Sequence, residues 1–322
     1  MKNHYFVSAY ATSPSFYEWD PFEEKKYFQE LANNPKVIGI EHPYFVNSEK
    51  YPLSWLREAI PEHWSMIITI LPALMQESKV NPYFGLASMS EKDRILAVAL
   101  VKEMNEYIHL LNEMFGKNVV TAVHLHSSPK NDDKVIRGNK CSLKRSLDEI
   151  SAMNWNNIQL NLEHCDAYVP GQIPDKGFLS LEEEIEVIGE TVDYGLVLNW
   201  ARSAIECRSS EGPLKHIQLA MKNNLLKGFF FSGCTNNIES KYGSWKDTHM
   251  PPKKIIKGLY LEEDSLLGYQ EIRKTLEWLN KNIYFGIKVL NPEKKHCIKK
   301  SVGLNIETIE AIEKVIVDLN VS

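Results

Sequence analysis

Residues 158–164, Ile-Gln-Leu-Asn-Leu-Glu-His, form a short apolar run that stops on two ionisable side chains, Glu163 and His164. Seven other short apolar runs end at residues 8–10, 41–42, 71–72, 124–126, 199–200, 232–234 and 288–291, most of them in polar or ionisable clusters. Helix-like stretches separate the runs. This alternation predicts an α/β fold with a parallel sheet. Eight units favour closure into a single (β/α)8 TIM barrel domain spanning 1–322, with all C-terminal strand ends around one mouth. An open doubly wound sheet is the alternative, but no glycine-rich phosphate loop follows the first run.

Working outward, strands are predicted at 5–9, 37–40, 66–71, 119–125, 158–162, 195–198, 226–231 and 284–290. Helices are predicted at 21–32, 53–60, 90–115, 142–153, 181–191, 212–225, 266–280 and 306–319. Asp20 before Pro21, Ser90 and Ser180 suit N-caps, and Gly116 suits a helix stop. Two long connections, 127–140 and 235–258, are of the kind that cover an active site or bind a ligand.

The 322 residues are 43% hydrophobic and 25% charged, ordinary for a globular protein. A net charge of −5 argues against a nucleic-acid partner, and the Lys294–Lys295 and Lys299–Lys300 pairs read as solvated surface. The five cysteines form no CxxC pair, which fits a reducing compartment. No signal core and no apolar stretch of about 18 residues is present, so a cytoplasmic protein without a membrane partner is predicted.

Chemistry is concentrated at the strand ends. An acid directly after an apolar strand must face the mouth or find a partner, which makes Glu163 a metal ligand or acid–base group, or else an acid salt-bridged to Lys288 or Arg202 in a structural network. His124 and His126 alternate and share one face; His126, nearer the strand end, is the catalytic candidate and His124 a ligand contact. Of the adjacent pair Glu41 and His42, Glu41 is placed inward. Asn199, Trp200, Arg202 and Glu206 follow the sixth strand and, with Glu41, are substrate-binding candidates: Arg202 offers a fork of donors to a carboxylate or phosphate and Trp200 a flat apolar face to a sugar ring or an aliphatic chain, the alternative being an Arg202–Glu206 ion pair that shapes the loop. Lys288 lies in the last predicted strand, where an unpaired amine is costly to bury; it is read as a paired cation, an anion contact or a desolvated catalytic amine. Asp247 and His249, as Asp-X-His, suit a divalent ion. Cys165 and Cys234 near the mouth read as packing.

These residues resemble the xylose-isomerase-like barrels, the superfamily of sugar isomerases, sugar epimerases and apurinic endonucleases. Val37-Ile38-Gly39-Ile40-Glu41 looks like the Gly-X-Glu second strand of that superfamily, and Leu160-Asn161-Leu162-Glu163-His164 like its fifth strand, whose glutamate ligates metal. Asp247-Thr248-His249 is similar to the metal pair of the endonuclease branch. The stretch 199–206, Asn-Trp-Ala-Arg-Ser-Ala-Ile-Glu, looks most like an uncharacterised bacterial branch.

The resemblance implies an isomerase or epimerase acting on a carbohydrate, with a divalent metal (manganese, zinc or magnesium) on Glu163, Asp247 and His249. Two positions depart from the pattern: Asn199 stands where an acid is usual on the sixth strand, and Lys288 where a glutamate is usual on the eighth. A cation at a ligand position repels a metal. The alternatives are a barrel that binds a small metabolite without a metal, and a hydrolase or lyase relative.

Overall fold

The computed structural model describes residues 4–46, 49–191, 194–293 and 297–321. Eight parallel strands close in sequence order: β1 (Tyr5–Val7), β2 (Val37–Pro43), β3 (Ser65–Thr69), β4 (Val120–Leu125), β5 (Gln159–Glu163), β6 (Tyr194–Asn199), β7 (Leu226–Phe231) and β8 (Tyr284–Ile287). β1 pairs with both β2 and β8, which completes the ring. The helices are α1 (Pro21–Ala32), α2 (Leu53–Ala59), α3 (Leu71–Val80), α4 (Glu91–Phe115), α5 (Lys140–Ser151), α6 (Leu181–Gly189), α7 (Trp200–Cys207), α8 (Gly212–Lys222), α9 (Tyr269–Trp278) and α10 (Ile298–Val321). None is long and apolar enough to cross a membrane.

Local chemistry sets the helix limits. The Asp20 carboxylate accepts from the Phe22 and Glu23 amides at the start of α1. Ser180 and Glu183 form a reciprocal capping box on α6. Gly116 ends α4 at φ +64°, a conformation that suits glycine.

Several boundaries differ from the sequence reading. β3 ends at Thr69, and residues 71 and 72 already open α3. α7 begins directly at the end of β6, with the Asn199 side chain accepting from the Ala201 and Arg202 amides as its N-cap. α10 starts at Ile298, earlier than the predicted 306. Lys288 lies one residue beyond β8, although its amide still donates to the Phe231 carbonyl. The pair Lys294 and Lys295 falls outside the described residues.

Strand alternation sorts the barrel interior from the helix-facing side. Phe6, Ile67, Ala122, Val197 and Phe230 form a small apolar cluster with Tyr284 packed on it, separate from the large core under the helices. Two glycines make room for it. A Cβ on Gly39 would lie 2.0 Å from the Ser65 carbonyl oxygen and 2.8 Å from the Phe6 ring; one on Gly286 would lie 2.2 Å from the Phe230 ring. Moving two residues further along each strand from this plug reaches the mouth. Ala122 leads to His124 and His126, Val197 to Asn199, and Phe230 to Ser232. Gly39 leads to Glu41, Asn161 to Glu163, and Gly286 to Lys288.

Candidate active site at the barrel mouth

Glu41, His124, His126, Glu163, Arg202 and Lys288 meet here, each wholly buried. Lys288 Nζ lies 3.0 Å from Glu41 Oε2 and 3.6 Å from Glu163 Oε1, so one ammonium bridges carboxylates from β2 and β5. It also sits 5.6 Å from the centre of the half-buried Tyr10 ring and 5.8 Å from that of Phe230. Arg202 enters from α7. Its Nη1 is 2.6 Å from Glu163 Oε1, and its Nε donates to Asp247 Oδ2 at 3.1 Å. Nη1 is held by its close charge contact with Glu163, and Nη2 has no hydrogen-bond partner among the described residues.

The imidazoles complete the cluster. His126 Nε2 is 2.8 Å from Glu163 Oε2, while its buried Nδ1 has no partner among the described residues. His124 links Glu41 Oε1 (3.1 Å from Nδ1) to the Tyr284 hydroxyl (2.9 Å from Nε2), and Asn161 Nδ2 donates to that hydroxyl at 3.1 Å. The Ser8 hydroxyl donates to Glu41. At the outer edge His249 Nδ1 is 3.1 Å from Asp247 Oδ1 and 3.2 Å from the Ser232 hydroxyl oxygen. Lys176 Nζ is 3.3 Å from Asp247 Oδ2.

The charges in this cluster balance: Glu41, Glu163 and Asp247 face Lys288, Arg202 and Lys176. Burial opposes ionisation of Glu163, but Arg202 and Lys288 reverse that and hold its carboxyl well below the usual range. Glu41 is lowered against the same burial cost by Lys288. Burial would strip the Lys288 proton, yet Glu163 and Glu41 push its pKa above the ordinary value. The two carboxylates thus favour the charged ammonium form of this amine. Burial pushes the pKa of His126 and His249 down to about 4, so both are neutral near pH 7.

The structure separates residues that the sequence reading grouped. Trp200 packs in the apolar layer between sheet and helices, because α7 turns away at once from the end of β6. Asn199 is occupied in capping α7. Glu206 does not pair with Arg202; its carboxylate binds His164 Nε2 at 2.9 Å on the outer side of β5. Tyr10, Ser8, Tyr284 and Lys176 join the site without having been singled out. Tyr284 was findable, since it lies four residues before Lys288 on the same strand face. Lys176 was not, because its loop is placed by tertiary contacts, among them the Asp175 and Lys176 amides donating to Asp166 and the Asp247 amide donating to Asp175.

Two groups of described residues bring potential metal-ligand atoms within 4.8 Å of one another: Glu41, His124 and Glu163 at the mouth, and His164, Glu206 and His216 outside the barrel. Glu163, Asp247 and His249 are not such a group, and Arg202 stands between Glu163 and Asp247. The mouth residues do not fit a divalent ion, because the Lys288 ammonium already occupies the space between Glu41 and Glu163.

Neutral buried histidines have a measurable consequence. Burial pushes His42 down to about 3, with only a 3.3 Å contact from Nε2 to the Tyr107 hydroxyl. The unfolded chain therefore takes up protons first, below about pH 6.5. Stability should fall from there toward pH 3, by at most about 1.4 kcal/mol per pH unit for each such histidine. Urea unfolding of His42→Gln across this range should show a shallower acid limb than the parent; an identical limb would assign the effect to other groups.

The closed eight-stranded barrel with its polar mouth has the fold of the xylose-isomerase-like TIM barrels. The chain is similar to the structure of L-ribulose 3-epimerase (TM-score 0.61, 11% identity, covering 100% of this chain and 98% of that one). It is also similar to the IolI protein with a bound zinc atom (0.58, 14%, 97% and 99%). A third likeness is to AP endonuclease, family 2, from Brucella melitensis (0.57, 10%, 96% and 99%). At these identities the likeness is one of fold. By sequence, residues 6–303 match the family described as "Domain of unknown function (DUF4862)", and the chain belongs to that family. An uncharacterized protein of Salmonella typhimurium strain LT2 is 34% identical over 255 residues, 78% of this chain and 80% of the relative.

Proposed function

We propose that this protein is an isomerase- or epimerase-type enzyme that moves a proton next to the carbonyl of a small sugar or sugar acid, with protein cations at the mouth in place of a metal. The observation that carries this reading is the pair of buried cations, Lys288 and Arg202, at the strand ends, with Arg202 Nη2 lacking a hydrogen-bond partner among the described residues. Removing a proton next to a carbonyl builds negative charge on its oxygen. Preorganised positive charge in a water-excluded site stabilises that enediolate. The sugar epimerase among the structures of like fold supports the substrate class.

Glu41 and Glu163 are too acidic at rest to be the base, and their role is to hold Lys288, Arg202 and His126 in place. His249 is the better proton carrier: neutral, with Nδ1 against the Ser232 hydroxyl, and with its side chain 13% exposed where the inner groups are closed to solvent. Tyr10 and His249 are the partly exposed members of the site.

The test is proton exchange in deuterated water, followed by NMR, across a panel of ketoses, aldoses and sugar acids. The reading predicts loss of a C–H signal beside the carbonyl for at least one member, and a rate about 100-fold or more lower for His249→Gln. The wild-type rate should fall as pH drops through about 4, where the imidazole becomes charged. Exchange with no member of the panel would remove the isomerase reading and favour the metabolite-binding barrel. A full rate in His249→Gln would remove the assigned base.

A further inference from the structure

His164 follows Glu163 directly, so its side chain points away from the mouth, toward the helices. There it meets Glu184 of α6, Glu206 and Cys207 of α7, and His216 of α8. We infer that His164, Glu206 and His216 form a zinc site outside the barrel, three protein donors with the Cys207 sulfur beside His216.

The distances suit a tetrahedral ion. Zinc bonds of roughly 2.0–2.3 Å place neighbouring ligand atoms roughly 3.3–3.7 Å apart. His216 Nε2 lies 3.5 Å from Glu206 Oε1 and 3.7 Å from Cys207 Sγ. His164 Nε2 and Glu206 Oε2 are closer, at 2.9 Å, and would part slightly around an ion. Potential ligand atoms of the two histidines and the glutamate already fall within 4.8 Å of one another.

The groups behind the ligands match what a zinc site needs. A ligating histidine commonly donates its other ring N–H to a carboxylate or similar acceptor, which fixes its orientation. His164 Nδ1 is 2.7 Å from Glu184 Oε2, and Glu184 is itself held by the Ser127 hydroxyl. His216 Nδ1 is 3.0 Å from the Ser203 hydroxyl oxygen.

Charge points the same way. Glu184 is fully buried and the Glu206 side chain only 10% exposed, and among the described residues neither has a lysine or arginine ion-pair partner. A protonated His164 would offset one of these two carboxylates and leave the other. A divalent ion takes the place of the His164 Nε2 proton, which leaves to solvent, and offsets both. The ion would tie the end of β5 to α7 and α8. That would steady Glu163 on the strand and Arg202 on the helix, without contact with the substrate.

The test uses the intact chain. Purified protein, dialysed free of loose metal, should carry one zinc by elemental analysis. Exchange for cobalt(II) should give the visible absorption of a tetrahedral ion. His216→Ala should lose the zinc while keeping its far-UV circular dichroism. Chelator should lower the melting temperature of the parent and leave that of His216→Ala unchanged. Stripped wild-type protein that binds neither zinc nor cobalt in calorimetric titration would overturn the proposal. So would undiminished zinc binding in His216→Ala, or, if that variant does not fold, octahedral cobalt spectra in the wild type.

Discussion

Lys288→Met should lower the stability of the protein by about 3–5 kcal/mol, the usual cost of leaving a buried ion cluster without one partner. Glu41 and Glu163 both lose the ammonium that holds them ionised, at 3.0 and 3.6 Å. Manganese should then restore part of the loss. The oxygens of the two carboxylates and a ring nitrogen of His124 lie within 4.8 Å of one another once the ammonium is gone. Lys288→Glu should go further, adding an acid where the fold family usually has one. Calorimetric titration of manganese should give an affinity at least about tenfold above that of the parent protein, equivalent to about 1.4 kcal/mol. The comparison belongs in a His216→Ala background, so that only the mouth is read. Unchanged affinity in a folded Lys288→Glu protein would show that Lys288 is not standing in for a metal.

Arg202→Met should be nearly as damaging, and its effect should depend on pH. Arg202 contacts Glu163 at 2.6 Å and Asp247 at 3.1 Å, with its side chain wholly buried. Burial acts to raise both carboxyls, but charge contacts hold both below the ordinary value: Arg202 and Lys288 for Glu163, His249 and Arg202 for Asp247. A depressed carboxylate adds stability above its unfolded pKa of about 4, and that stability is lost as pH falls through the folded value. Without Arg202 both folded values rise. The variant should lose about 3–5 kcal/mol at neutral pH, and its acid unfolding midpoint, followed by circular dichroism, should move upward. Arg202→Lys should recover only part of this, because a single ammonium on a shorter stem replaces a planar fork that reaches two acids. Full recovery by lysine would show that charge alone, without the fork, is what the site needs.

Much of this molecule can be read from local sequence. Strand β5, with Glu163 at its end, shows its alternation and its acid without reference to any other residue, and the same is true of His124 on β4 and His126 just past its end. The Asp20, Ser180 and Gly116 signals mark helix ends because capping is a contact over a few residues. Periodicity fails where it is too short to register. α7 is eight residues long and begins inside what reads as a strand-end cluster, so Asn199 looks like a ligand residue when it is a cap. α3 is hidden in the same way behind Leu71 and Pro72.

The sequence by itself determined that eight βα units alternate along the chain and that Glu41, His126, Glu163 and Lys288 stand at or near strand ends, because alternation and helix capping act over a few residues. Only the tertiary structure decided which charges meet. Lys288 is 247 positions from Glu41, and their pairing depends on β8 closing against β1. The division of neighbours was likewise a tertiary matter. Glu163 faces the mouth and His164 the helix layer, Arg202 reaches one and Glu206 the other, and Trp200 is left in the core. Coulomb energy depends on separation in space and on burial, and neither is written in the distance along the chain.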